Sequence, residues 1–132
     1  MGENFIMNWF KIAKNFSERN NINDKIKYLT ELSKNLQKMS KRIFQNATLI
    51  KSSTSDILYS KKITSYPFLK DILAEANNIA LDSPWAYEKL CKEAIARIEN
   101  KISELKQQRE KITRNNQEKN DGFRIEKGWV YE

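Results

Sequence analysis

Lys27, Lys34, Lys38 and Lys41 are the residues of this chain whose type and spacing come closest to a chemical task. At ~100° per residue on a helix they fall within roughly 60° of one another. A row of ammonium groups on one helix face can track phosphates. Each lysine that neutralises a phosphate releases a condensed counterion, and the contacts follow the backbone rather than the bases. The segment 21–51 holds seven basic and two acidic residues, a local +5 by subtraction, within a chain of net +7. Lys outnumbers Arg by 18 to 6. Arg is the residue suited to bidentate base recognition, so these lysines point to binding without sequence preference. The plain alternative is that any bundle helix places its solvated residues opposite its apolar face.

The second candidate is the C-terminal stretch Phe123 to Glu132, in which Phe123, Ile125, Trp129, Val130 and Tyr131 are large and apolar. Such a density of apolar side chains seeks cover. It either forms a small hairpin around Lys127-Gly128 that packs on its own bundle, or docks on a partner. Phe123, Ile125, Trp129 and Tyr131 are the expected partner-binding residues of the second case. The third candidate is the first amphipathic stretch, where Phe5, Ile6, Trp9, Ile12, Ala13 and Phe16 share a face. That face is bundle core or, on a thinner argument, a membrane-surface contact.

Other chemistries are excluded by residue type. The chain has no histidine, so His-based acid–base catalysis, Ser-His-Asp and Cys-His arrangements and Glu-x-x-His metal sites are all ruled out. One cysteine, Cys91, makes neither an intramolecular disulfide nor a Cys-rich zinc site. The three glycines, at 2, 122 and 128, form no phosphate loop. The acidic residues are spread along outer faces with Lys or Arg nearby, and no carboxylate pair converges. No catalytic residue, cofactor or metal site is expected. A buried reduced thiol at Cys91 suits a cytoplasmic location. There is no apolar run long enough to span a membrane, and Lys11 and Lys14 inside the first apolar stretch argue against a signal peptide.

The elements that must position these residues are helical. Three glycines and two prolines in 132 residues supply few of the turns a sandwich or barrel needs. The first helix is expected over Asn4–Arg19, followed by a break at Asn20, Asn21 and Asn23. The second runs from Ile22 to Ile50. Ile22, Ile26, Leu29, Leu32, Leu36, Met39, Ile43, Ala47 and Ile50 lie on its buried face, opposite the lysines. Ile22, Ile26, Leu29, Leu36, Ile43, Ala47 and Ile50 also fall at or near the core sites of a coiled-coil heptad, interrupted by the small Ser33 and Ser40. Ser52–Asp56 reads as a polar break. The stretch 57–66 is a short helical turn, an irregular connection or a hairpin. A third helix begins at Pro67, and a fourth at Pro84 after an Asp82-Ser83 cap. The fourth keeps Tyr87, Leu90, Cys91, Ala94, Ile95, Ile98, Ile102, Leu105 and Ile112 on one face until about Arg114. Its outer face pairs Glu88 with Lys92, Glu93 with Arg97 and Glu110 with Arg114. Asn115–Gly122 reads as a polar linker.

The expected architecture is therefore all-α: a small antiparallel bundle of about four helices, two of them long, over residues 1–114, then a linker and aromatic tail over 115–132. No stretch carries a recognisable family motif. The function this implies is a non-enzymatic interaction or structural module that binds a protein partner or a second copy. The alternative is a nucleic-acid-binding protein using the lysine stripe.

Overall fold

The computed structural model describes the backbone of residues 2–126 and the side chains of Lys11 and residues 13–114. Four helices and one 3-10 turn make up nearly all of it: α1 Gly2–Arg42, α2 Ala47–Leu58, the 3-10 turn Lys62–Ser65, α3 Pro67–Ile79 and α4 Pro84–Glu126. There is no strand among the described residues, and the helices pack into a small all-α bundle, α1 and α3 each against α4. The chain divides into two compact units, one of residues 28–102 and one of Met1–Lys27 with Ser103–Glu132.

The unit of residues 28–102 holds most of the core. Leu29, Leu32, Leu36, Met39 and Ile43 come from α1 and the turn after it, Ile50 from α2, and Leu69, Ile72, Leu73 and Ala76 from α3. Tyr87, Cys91, Ala94 and Ile98 come from α4. The expected apolar faces of α3, of α1 from Ile22 onward and of α4 up to Leu105 supply the buried residues. Ser33 and Ser40 are buried among them, and Ser40 turns its hydroxyl onto the Gln37 carbonyl at 2.8 Å. In the other unit Ile22 and Leu105 are buried, and Arg109 donates to the Asn23 side-chain oxygen at 2.9 Å.

Several element boundaries differ from the sequence expectation. The expected break at Asn20, Asn21 and Asn23 does not occur, and α1 is continuous from Gly2 to Arg42. Asparagine disfavours a helix interior by only ~0.7 kcal/mol. Here Ile22 and Leu29 keep the buried stripe unbroken, and Asn23 gains the arginine as a partner. The expected second helix does not reach Ile50. Its path turns at 43–46, where Gln45 and Asn46 N–H groups both donate to the Arg42 carbonyl at 2.9 and 3.1 Å. Asn46 then caps α2, its side-chain oxygen accepting from Leu49 N–H at 3.1 Å.

The expected polar break Ser52–Asp56 is the interior of α2. Ile50, Thr54 and Ile57 are spaced i, i+4, i+7, a helical stripe in which Thr54 serves as a buried member. Thr54 is fully buried and returns its hydroxyl to the Ile50 carbonyl at 2.7 Å. The stretch 57–66 finishes α2 and then makes the single 3-10 turn, with Ile63 and Tyr66 buried. Finally, α4 continues past Arg114 to Glu126, so the backbone of 115–122 is helical where a linker was expected.

Asn46 is expected to matter out of proportion to its exposure, because it starts α2 after a reversal. Replacing it with Ala should destabilise the protein by about 1 kcal/mol in a denaturant melt, and Asn46→Asp by much less. Equal losses in both variants would mean that the cap contributes nothing.

Candidate interaction surface

Lys34, Lys38 and Lys41 project from α1 in the unit of residues 28–102, and all three are exposed. Lys27 is exposed as well and belongs to the other unit. Around the first three, Asn35, Gln37 and Arg42 are also exposed, and Glu31 is the nearby acid. The outer face of α4 is different. Lys92 pairs with Glu88 at 3.1 Å and Arg114 with Glu110 at 3.8 Å. The expected pair of Glu93 with Arg97 is replaced by one across helices. Arg97 donates to the Phe68 carbonyl at 2.8 Å and to Asp71 at 3.2 Å, since a planar guanidinium can serve two acceptors at once.

Beside this basic face lies an open groove of about 660 Å³, walled by the last turns of α1 and by α2. Met39, Leu49, Ile50 and Ile57 form its apolar part, and Lys38, Arg42 and Asp56 stand at its edges. Leu49 is 57 % exposed. The groove exists because α1 stops at Arg42 and the Asn46 cap sends the chain back alongside it.

The two connections after α1 and after α3 bring a second feature together. Phe44 in the first packs edge-on against Trp85 in the opening turn of α4, with ring centroids 5.5 Å apart and planes at 69°. The pair is not core: Trp85 is 73 % exposed and Phe44 47 %. Leu81, in the connection before α4, is exposed too. Pro84 and Ser83 fix this turn, the Ser83 hydroxyl accepting from Ala86 N–H at 3.3 Å. Sequence reasoning passed over Phe44, Leu49 and Trp85. One signal was available for Trp85: it lies roughly 160° around the helix from Tyr87 and the buried face, where a tryptophan has no core to join.

The interior of the same unit contains a polar cluster. Thr54 and Tyr87 hydroxyls lie 2.8 Å apart. Thr54 has already given its hydrogen to the Ile50 carbonyl, so Tyr87 is the donor between them. Burial pushes the Tyr87 hydroxyl well above the ordinary tyrosine range. It also pushes the Cys91 thiol from 9.0 up to about 11. At neutral pH Cys91 is thus a protonated thiol and a poor nucleophile. Among the described residues, no three of His, Cys, Asp and Glu gather where a metal could be held. None of the described helices is long and apolar enough to cross a membrane.

Of the remaining expected site residues, Phe123 and Ile125 lie on the helical backbone of α4. Trp129 and Tyr131, with the expected hairpin around Lys127-Gly128, lie outside the described residues. On the expected apolar face of the first stretch, Ala13 and Phe16 have described side chains, and both are exposed rather than core. No family model matches the chain, and neither a curated protein nor a solved structure matches it.

Proposed function

We propose that this protein is a non-enzymatic helical interaction module that acts through protein–protein contacts, in the cytoplasmic setting that a buried reduced Cys91 suits. The observation that carries this reading is the Phe44–Trp85 pair. The unit has a core of fully buried apolar side chains, yet this tryptophan is left 73 % exposed beside an exposed phenylalanine. Exposed aromatic pairs held on well-capped turns are the material of interface hot spots, where a single tryptophan often contributes about 2 kcal/mol or more. The tail residues Phe123, Ile125, Trp129 and Tyr131 belong to the same reading as a second docking segment.

The second reading is nucleic-acid binding through Lys27, Lys34, Lys38 and Lys41. It is favoured by the exposed basic run Lys34, Lys38, Lys41 and Arg42 with Glu31 as its nearby acid. One experiment separates the two. The tagged protein and its Trp85→Ser variant are recovered from cells of their source at mild salt, with and without nuclease. The interaction reading expects a defined polypeptide that survives nuclease and is lost with Trp85→Ser. Recovery that depends on nucleic acid and ignores Trp85 would favour the lysine stripe and sink the first reading.

A further inference from the structure

We infer that the groove between α1 and α2 receives an acidic amphipathic helix of a partner protein. The inference rests on the interaction reading, and it names the chemistry of the partner. Both walls of the groove are helix faces. Asn35, Lys38, Met39 and Arg42 follow i, i+3, i+4, i+7 on α1, and Asn46, Ile50, Ser53 and Ile57 follow i, i+4, i+7, i+11 on α2. A channel between two such faces is the shape into which a third helix lays an apolar stripe. At ~1.5 Å per residue, the α2 wall is matched by a segment of about three helical turns. Leu49, 57 % exposed, is the apolar side chain open to it, and the buried Ile50 and Met39 line the same groove.

Charge selects the partner. The α1 edge carries Lys38 and Arg42, with Lys34 and Lys41 exposed next to them. The α2 edge carries Asp56. An amphipathic helix with acids along the flank that meets α1, and neutral residues along the flank that meets Asp56, fits both edges. Nucleic acid fits this groove poorly. Phosphates would need cations on both walls, and the lysine α2 does contribute, Lys51, donates to the Asn77 carbonyl at 2.8 Å. The apolar floor residues would also go uncovered. A second copy of the chain fits poorly as well, because its net charge is +7 and no stretch of it is an acidic amphipathic helix.

The test uses the full chain and designed, dye-labelled peptides of about 14 residues, long enough to fill the channel at ~1.5 Å per residue. One peptide has leucines at helical spacing, glutamates along one flank and glutamines elsewhere. In a second, lysines replace the glutamates, and in a third, serines replace the leucines. A short DNA duplex is the fourth probe. Fluorescence anisotropy should show the acidic peptide binding at least about tenfold more tightly than either altered peptide. Leu49→Ser, at an exposed position, should weaken it by about tenfold. Lys38→Glu with Arg42→Glu should reverse the preference toward the lysine peptide. Helical content by circular dichroism confirms that each variant is folded. Equal binding of the acidic and basic peptides, absent binding of the acidic peptide, or indifference to Leu49→Ser would each overturn the inference. So would a DNA duplex that outcompetes the peptide. Trp85→Ser should leave peptide binding unchanged. If the peptide fails to bind while Trp85-dependent capture persists, the groove inference fails and the interaction reading stands. The reverse pattern removes the aromatic pair from the reading and leaves the groove.

Discussion

Replacing Leu36 with Asp is expected to leave the chain unable to hold its fold at neutral pH, and Ile98→Asp should do the same from the opposite wall of the core. Both side chains are 0 % exposed. Each substitution removes a large apolar group, which alone costs about 2–5 kcal/mol when a leucine is cut back to alanine. Each then adds an uncompensated carboxylate. The buried polar side chains among the described residues are Ser33, Ser40 and Thr54. Thr54 is already engaged with the Ile50 carbonyl and Tyr87, and Ser40 with Gln37. The hydroxyls of Ser40 and Thr54 are thus not free to receive a carboxylate, and no cation is among these buried groups. The total exceeds the ~4–5 kcal/mol that marks the exceptional tail of single substitutions. It is therefore comparable with the ~5–15 kcal/mol that holds a typical domain together.

The measurement is circular dichroism with urea melts, and two controls give it meaning. Leu36→Asn separates loss of packing from burial of charge. Lys38→Asp, two residues away on the exposed face, should shift stability by no more than about 0.5 kcal/mol. The sign of the pH effect is also fixed. The carboxyl introduced by Leu36→Asp is buried, so its pKa is raised in the folded state. The penalty therefore grows as pH rises above the unfolded carboxylate value near ~3.9 and shrinks in acid. A Leu36→Asp variant as stable as wild type at pH 7 would mean that Leu36 is not core.

The core was legible in the sequence because it is written in periodicity. The stripe Leu29, Leu32, Leu36, Met39, Ile43 and the stripe Tyr87, Cys91, Ala94, Ile98 each follow the 3.6-residue repeat, and burial depends on little else. Caps with a strong chemical signature were legible too, as Ser83-Pro84 shows. What misled was weak local preference. Three asparagines read as a break because their turn preference is real, but it is small against a buried Ile22. Ser52–Asp56 read as a break because a satisfied buried threonine looks like a polar loop until its partner, the Ile50 carbonyl, is seen.

The candidate surface was half legible for the same reason. The lysines stand out by spacing on one helix. The groove beside them depends on where α1 stops, a decision made by Asn46 as a cap within a pattern that otherwise reads as helix. The Phe44–Trp85 pair depends on two connections, far apart in sequence, meeting in space. No local rule about either residue contains that information.

Stability is expected to fall steeply on the alkaline side, and the Tyr87–Cys91 cluster sets where. Burial pushes the Cys91 thiol from 9.0 up to about 11 in the folded chain. Burial likewise pushes the Tyr87 hydroxyl up from 10.0, and the nearby Cys91 adds to it. For a group raised on folding, the native state holds its proton over a window in which the unfolded state has lost it. The stability this represents is complete below the unfolded pKa and declines as pH climbs toward the folded value. Cys91 alone therefore removes about 1.4 kcal/mol per pH unit once pH passes its unfolded value. Tyr87 adds a similar slope once pH passes 10.0, the tyrosine value from which it is raised. The expected profile of urea-melt free energies is level near neutrality, falls from about pH 9 and steepens from about pH 10.

Variants divide the profile between the two groups. Cys91→Ala should flatten the stretch between about pH 9 and 10 most, because the thiol is raised from 9.0 and the Tyr87 hydroxyl from 10.0. Tyr87→Phe should cost about 1 kcal/mol at neutral pH, because Thr54 then loses the hydrogen bond it accepts. It should nevertheless reduce the slope above about pH 10, where the wild-type hydroxyl opposes folding. A residual slope there is expected from Tyr66, which burial and then the adjacent Tyr28 push in the same direction. That residue stacks on Tyr28 with centroids 5.4 Å apart and lies outside the Thr54 cluster. The decisive comparison is the difference between wild type and Cys91→Ala below about pH 10, from which the contributions of the groups they share largely cancel. If Cys91→Ala falls there as steeply as wild type, the thiol is not what the folded state holds protonated, and the buried cluster does not govern alkaline unfolding.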